Sequence, residues 1–277
     1  MRILDRLKRA RHMHRAELLA RIHHRVRHRL GYRANLRRVS FALDRYSRQL
    51  FDGPYEERAP SGPRNLQAKL DRQAAGGPFE PYSITLINRG AAQLLGDERR
   101  IAEVGAGTGM FASFVARDSW RHITASEFDP ETLQWAQANR AASNITYCRD
   151  SLHDWTGKFD LVLALEVIEH IDAYRSFLRS LAAVAPRAIL STPNRNRDAF
   201  ASVARTPEFS EHVREWTAGE FFWVLRAFYS TVELFTVPQM DDQVERLRAD
   251  PSYRPQIMPC TDLTTEAALL ARCSQPI

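Results

Sequence analysis

The sequence predicts an α/β fold in which a doubly wound, seven-stranded, mostly parallel sheet carries an N-terminal helical extension. Three observations predict it. Short apolar segments alternate with helix-like ones from Ser83 onward. The first apolar segment runs straight into three glycines spaced by two, Gly105, Gly107 and Gly109, before a helix-like stretch begins. Hydrophobic residues at 44% and charged residues at 26% lie at globular averages, which excludes a mainly disordered or collagen-like chain. A length of 277 residues suits one large domain with extensions.

The elements follow in order. Ser83–Leu95 reads as a helix and Arg100–Gly105 as a strand. Met110–Ala116 is helical, His122–Glu127 a strand, and Pro130–Ala142 a helix with proline in its first turn. Ile145–Arg149, Phe159–Leu165 and Arg187–Ser191 are further strands, with Ala173–Ala185 helical between the last two. Ala218–Phe228 is a helix and Thr231–Val237 a strand, and the last apolar stretch, Glu266–Cys273, suits a closing edge strand. Clusters rich in glycine and proline within 52–81 read as linker, leaving residues 82–277 as the α/β domain and residues 1–51 as a separate arm.

That arm is strongly basic. Residues 1–48 hold 15 Lys and Arg against 3 Asp and Glu, whereas the remainder holds 24 against 30. Leu18, Ile22, Val26 and Leu30 recur every four residues and place an apolar stripe on one face of a basic helix. Such a helix lies on an anionic membrane surface or on nucleic-acid phosphates, or packs its stripe on the neighbouring domain. The longest apolar runs have five residues, against the roughly 18 a membrane span needs. The N-terminus lacks the apolar core of a secretory signal, and Cys148, Cys260 and Cys273 are too few and too dispersed for a disulfide framework. The expected location is cytoplasmic, with the arm held peripherally at the inner membrane surface.

The glycine segment carries a ligand expectation. A Gly-x-Gly-x-x-Gly dinucleotide pattern fails, because Met110 follows Gly109. Glu103, two residues before the first glycine, suits a ligand ammonium group. Glu127 ends the second strand, where a carboxylate grips ribose hydroxyls in such folds, and Asp150 ends the third, where it can accept from an adenine amino group. An amine, a ribose diol and an adenine in that order describe S-adenosylmethionine (SAM). The chain thus resembles the class I SAM-dependent methyltransferases over about residues 83–237, with Glu-x-Gly-x-Gly-x-Gly from Glu103 to Gly109 as the core of the likeness. The resemblance implies a Rossmann-like fold and a cofactor site that also includes Ala106, Phe128, Ser151 and Leu165.

Chemistry is expected after the fourth strand, at Glu166-Val167-Ile168-Glu169-His170. Two carboxylates and an imidazole within five residues can converge on one divalent ion, Mg²⁺, Mn²⁺ or Zn²⁺. Without an ion, His170 or His212 is the natural general base. The structural alternative is a helix cap and an isolated, satisfied histidine. The ubiquinone-biosynthesis O-methyltransferases have a similar Glu-x-x-Glu-His. The 3′-terminal RNA ribose 2′-O-methyltransferases resemble this chain further, in Thr192-Pro193-Asn194 and in a histidine ahead of Glu215-Trp216-Thr217. That likeness implies Glu166, Glu169, His170 and His212 as metal ligands, with Glu169, His170 and His212 in catalysis. His212–Thr217 is also similar to a segment of bacterial saccharide and cell-envelope methyltransferases.

The absence of Asn-Pro-Pro-Tyr, Asp-Pro-Pro-Tyr or Pro-Cys after the fourth strand argues against amino-group and cytosine C5 methylation, leaving O-methylation, with one hydroxyl of a vicinal pair as the expected acceptor. Three readings of the partner follow: a saccharide or small molecule; RNA, with the arm on phosphates; or a non-catalytic module that binds SAM. The net acidic body disfavours a polyanion, so the saccharide or small-molecule reading is preferred.

Overall fold

A computed structural model describes residues 65–152, 155, 159–195, 211–260 and 266–277. The basic arm, 1–51, and the first part of the linker, 52–64, lie outside the described residues. Seven helices and eight strands are described: α1 (Asn65–Ala74), α2 (Tyr82–Ala92), β1 (Arg100–Val104), α3 (Met110–Val115), β2 (His122–Ser126), α4 (Pro130–Asn139), β3 (Ile145–Cys148), β4 (Leu161–Leu165), α5 (Tyr174–Val184), β5 (Arg187–Pro193), α6 (Ala218–Arg226), β6 (Tyr229–Thr236), α7 (Met240–Ala249), β7 (Met258–Pro259) and β8 (Ala268–Pro276). A 3-10 turn, Ile168–His170, follows β4.

All eight strands form one sheet in the order β3-β2-β1-β4-β5-β8-β6-β7. The first five are parallel, and β8, β6 and β7 are antiparallel to their neighbours. Strand alternation sorts the core into two layers. Ala102, Val162, Ala164, Ala188 and Leu190 join the α5 and α6 side with Leu178, Leu181, Phe221 and Leu225. Ile101, Leu161, Leu163 and Ile189 join the opposite side with Leu86, Phe111 and Leu247 from α2, α3 and α7. Helices on both faces of a mostly parallel sheet fulfil the predicted fold class.

This arrangement decides where a ligand can sit. The chain winds outward from β1 through β2 to β3, then crosses back to β4 beside β1. The connections from β1 and β4 therefore diverge to opposite faces and leave a crevice at their carboxyl ends. The glycine turn follows β1, and the Glu166–His170 segment follows β4.

Four expectations need correction. The sheet has eight strands instead of seven, because Met258–Pro259 adds a short edge strand. Its proline has no N–H to offer, which suits an edge. The last strand is not the closing edge; β8 lies between β5 and β6. Ala268, Leu269, Leu270, Ala271 and Cys273 are buried in a near-continuous run, as an interior strand demands and an edge does not. Part of the expected linker is helix α1, whose flanking glycines and prolines mark its boundaries. Finally, α7 had no counterpart in the sequence reading; Asp241 and Asp242 in its first turn and Arg246 and Arg248 in its last complement its dipole, while Gln243 and Leu247 bury one face.

Candidate active site

The turn after β1 is shaped to hold a ligand against the backbone. Gly107 has φ +54, and a Cβ there would meet no atom within 4 Å, so its open side faces space that a ligand can use. Gly109, at φ +73, is closed instead, because a Cβ would run into the Tyr147 hydroxyl. The strand ends are stitched together around the turn. The Ala106 amide donates to the Ser126 carbonyl at 2.9 Å, the Glu127 amide to the Cys148 carbonyl at 3.0 Å, and the Ser126 hydroxyl to the Asp150 carbonyl at 2.6 Å.

Each expected cofactor residue has a place at these strand ends. Glu127 stands just past β2, where its Oε2 accepts from the Gly107 amide at 2.8 Å and its Oε1 from the Asp129 amide at 2.9 Å. Phe128 beside it is 57% exposed. Asp150 and Ser151 follow β3, and Leu165 ends β4. Glu103 is buried, and its Oε2 meets no hydrogen-bond partner. Burial first, and then the charge of Glu127, pushes its carboxyl up to about 8. A buried acid without a cation is costly, and a ligand ammonium group would remove the cost.

Across the crevice, the end of β4 is held in an unusual conformation. Glu166 has φ +55, a left-handed backbone on a non-glycine residue. Its amide donates to the Ser191 hydroxyl at 2.9 Å, and that hydroxyl donates back to Glu166 Oε1 at 2.7 Å. The bend throws the chain into the 3-10 turn that presents Glu169 and His170. The Val213 and Arg214 amides both donate to the Glu169 carbonyl, at 2.8 and 3.1 Å, so the segment carrying His212 is strapped onto this turn. The His170 and His212 rings meet edge to face with centroids 4.9 Å apart.

Ligand atoms of Glu169, His170 and His212 lie within 4.8 Å of one another. Glu166 is not in this set. It is held by Ser191 beside the cluster, so the structure gathers three of the four expected ligands and leaves the fourth adjacent. Glu169 is fully buried, and neither of its carboxylate oxygens meets a hydrogen-bond partner in good geometry. Burial, and then the neighbouring Glu166 charge, holds its carboxyl well above the usual range. Two orphaned oxygens beside two imidazoles form a donor set that fits a divalent cation.

A model of the methyltransferase domain matches residues 67–232. The chain belongs to the class I SAM-dependent methyltransferases. It is 32% identical over 146 residues to a protein of Methylocella silvestris named ubiquinone biosynthesis O-methyltransferase, covering 49% of this chain and 54% of that one. A Vibrio campbellii protein of the same name is 28% identical over 111 residues, covering 37% of this chain and 47% of its own. The methyltransferase spans about half the length of the first of these relatives. A solved SAM-dependent methyltransferase from Thermotoga maritima superposes with a TM-score of 0.51 at 13% identity, covering 70% of this chain and 89% of that one, a likeness of fold.

Sequence reasoning missed the groups that close the methyltransferase over its glycine turn. Lys69 of α1 pairs with Glu80 at 2.9 Å and donates to the Thr108 hydroxyl at 3.3 Å, while Thr108 donates to Glu80. Arg140, after α4, reaches Glu80 at 3.6 Å and the Ser113 hydroxyl at 3.3 Å. Phe79 stacks on Trp135 with centroids 4.4 Å apart. These contacts join residues as far apart in sequence as Glu80 and Arg140. Only the pair of cations around one buried acid could have hinted at them.

Proposed function

We propose that this methyltransferase transfers the SAM methyl group to one hydroxyl of a vicinal diol on a saccharide or small molecule, assisted by a divalent cation. The observation that carries this reading is the convergence of buried Glu169 with His170 and His212, across the switch point from the glycine turn. The O-methyltransferase names of its relatives support oxygen as the acceptor atom.

Glu169, His170 and His212 would hold the cation, with Glu166 beside them. A divalent cation there supplies Lewis acidity that lowers a hydroxyl pKa and orients a diol. The remaining work falls to the chain. Glu103 would hold the amino-acid end of the cofactor and Glu127 its ribose hydroxyls. Were no ion bound, His170, the member of the cluster that reaches solvent, would instead be placed to take the hydroxyl proton. Partial burial of its ring, then the neighbouring His212, draws its pKa below the usual value, which keeps it a base at neutral pH. Because the sulfonium carbon is already activated, holding the two reactants in line is the main contribution.

The basic arm favours a second reading, RNA ribose 2′-O-methylation with residues 1–48 on phosphates; on the first reading the arm rests on an anionic membrane surface. Labelled SAM tested against monosaccharides, catechols and short RNAs separates them. Label on a sugar or catechol supports the first reading. Label confined to RNA, with rates falling steeply as salt rises, replaces it with the second, and no label on any hydroxyl overturns both.

A further inference from the structure

Both imidazoles of the cluster are aimed by the short segment that straps onto the 3-10 turn. Nδ1 of His170 lies 2.8 Å from the Glu211 carbonyl, which can only accept, so that nitrogen carries the proton and Nε2 the lone pair. Nδ1 of His212 lies 2.9 Å from Oε1 of Glu215, again an acceptor, so Nε2 carries the lone pair there too. The Val213 and Arg214 amides on the Glu169 carbonyl hold the intervening residues in place. One histidine is oriented by main chain and the other by a side chain.

That side chain is a buried acid. Glu215 is 2% exposed and sits one residue before fully buried Trp216, a place where an apolar residue would cost less. Through His212 it stands beside Glu169, so two buried acids accompany the two imidazoles. Such a donor set suits a bound cation. A carboxylate on the remote nitrogen of a ligating histidine fixes its tautomer and ring angle and raises its basicity.

We propose that Glu215 is a positioning residue for the cation site: through its hydrogen bond to Nδ1 it sets His212 so that Nε2 joins Glu169 and His170. The inference rests on the cation reading of that cluster. It assigns no contact between Glu215 and the acceptor or SAM.

The test is a Mn²⁺ titration of the full chain in the presence of S-adenosylhomocysteine, followed by the electron paramagnetic resonance signal of free Mn²⁺, on wild type, Glu215→Ala and Glu215→Gln. The wild type is expected to show one saturable site. Glu215→Ala weakens it about 10- to 100-fold, and Glu215→Gln, which keeps shape and an acceptor but no charge, about tenfold. Both variants keep S-adenosylhomocysteine affinity within about twofold, and raising Mn²⁺ restores methyl transfer, neither of which a general packing defect would allow. Should Glu215→Ala fail to fold, Glu215→Gln alone decides. A wild type that binds Mn²⁺ alongside a Glu215→Gln that binds it equally well overturns the positioning role and leaves the cation site standing. A wild type with no saturable Mn²⁺ site overturns the cation reading and this inference together.

Discussion

Glu169→Gln is expected to lower methyl transfer by about a thousandfold, corresponding to roughly 4 kcal/mol of lost transition-state stabilisation, while leaving S-adenosylhomocysteine binding unchanged. The residue belongs to the cluster after β4 and is not among the groups assigned to the cofactor, so a calorimetric titration with the demethylated product should superimpose on the wild type. Stability separates this role from a structural one. Glu169 is a fully buried acid whose oxygens meet no hydrogen-bond partner in good geometry and whose carboxyl is held well above the usual range by burial and by Glu166. A neutral amide of the same shape removes that burden, so the melting temperature at pH 8 should equal or exceed that of the wild type. Lower stability with normal transfer would show that Glu169 serves the fold.

The second large effect concerns Glu103 and carries a pH signature. Glu103→Gln should weaken S-adenosylhomocysteine about 10- to 100-fold, the range for losing one charged hydrogen bond of about 1.5–3 kcal/mol. In the cofactor-free protein, burial and then Glu127 push the Glu103 carboxyl from 4.5 to about 8. The folded state therefore holds this proton more tightly than the unfolded chain. The resulting stability is full at low pH and is lost as pH rises from about 4.5 to about 8. A ligand ammonium group needs the ionised form. Wild-type affinity should accordingly improve from pH 6 to pH 8, by at most about tenfold per pH unit, and Glu103→Gln should flatten the rise. Parallel profiles for the two proteins would remove Glu103 from the cofactor site.

The parts of this site that could be read from sequence are those carried by local order. Glu103, Gly105, Gly107 and Gly109 sit within seven residues, and Glu127 and Asp150 each follow a short apolar strand, so strand, turn and acid could be read together. Glu169 and His170 were legible for the same reason. What escaped depends on contacts between distant segments. The Lys69–Glu80–Thr108 group forms only once α1 folds over the glycine turn. In sequence, α1 is ten mostly polar residues between two runs of glycine and proline, and reads as linker. The place of β8 between β5 and β6 follows from pairing on both sides, which periodicity cannot reveal, although its unbroken apolar run marks it as interior. Glu215 was visible as a neighbour of His212. Its hydrogen bond to the ring became apparent only from the strap on the Glu169 carbonyl.

The claim on which this account turns is that Glu169 and His170 after β4, with His212 strapped onto them, work with a divalent ion. The most direct measurement is the initial rate of transfer from labelled SAM to a diol acceptor, taken on one sample as purified, after removal of divalent ions with EDTA, and after adding back Mg²⁺, Mn²⁺ or Zn²⁺ in turn. The account predicts that the rate collapses with EDTA and returns with at least one of the three ions. An undiminished rate in EDTA would contradict it.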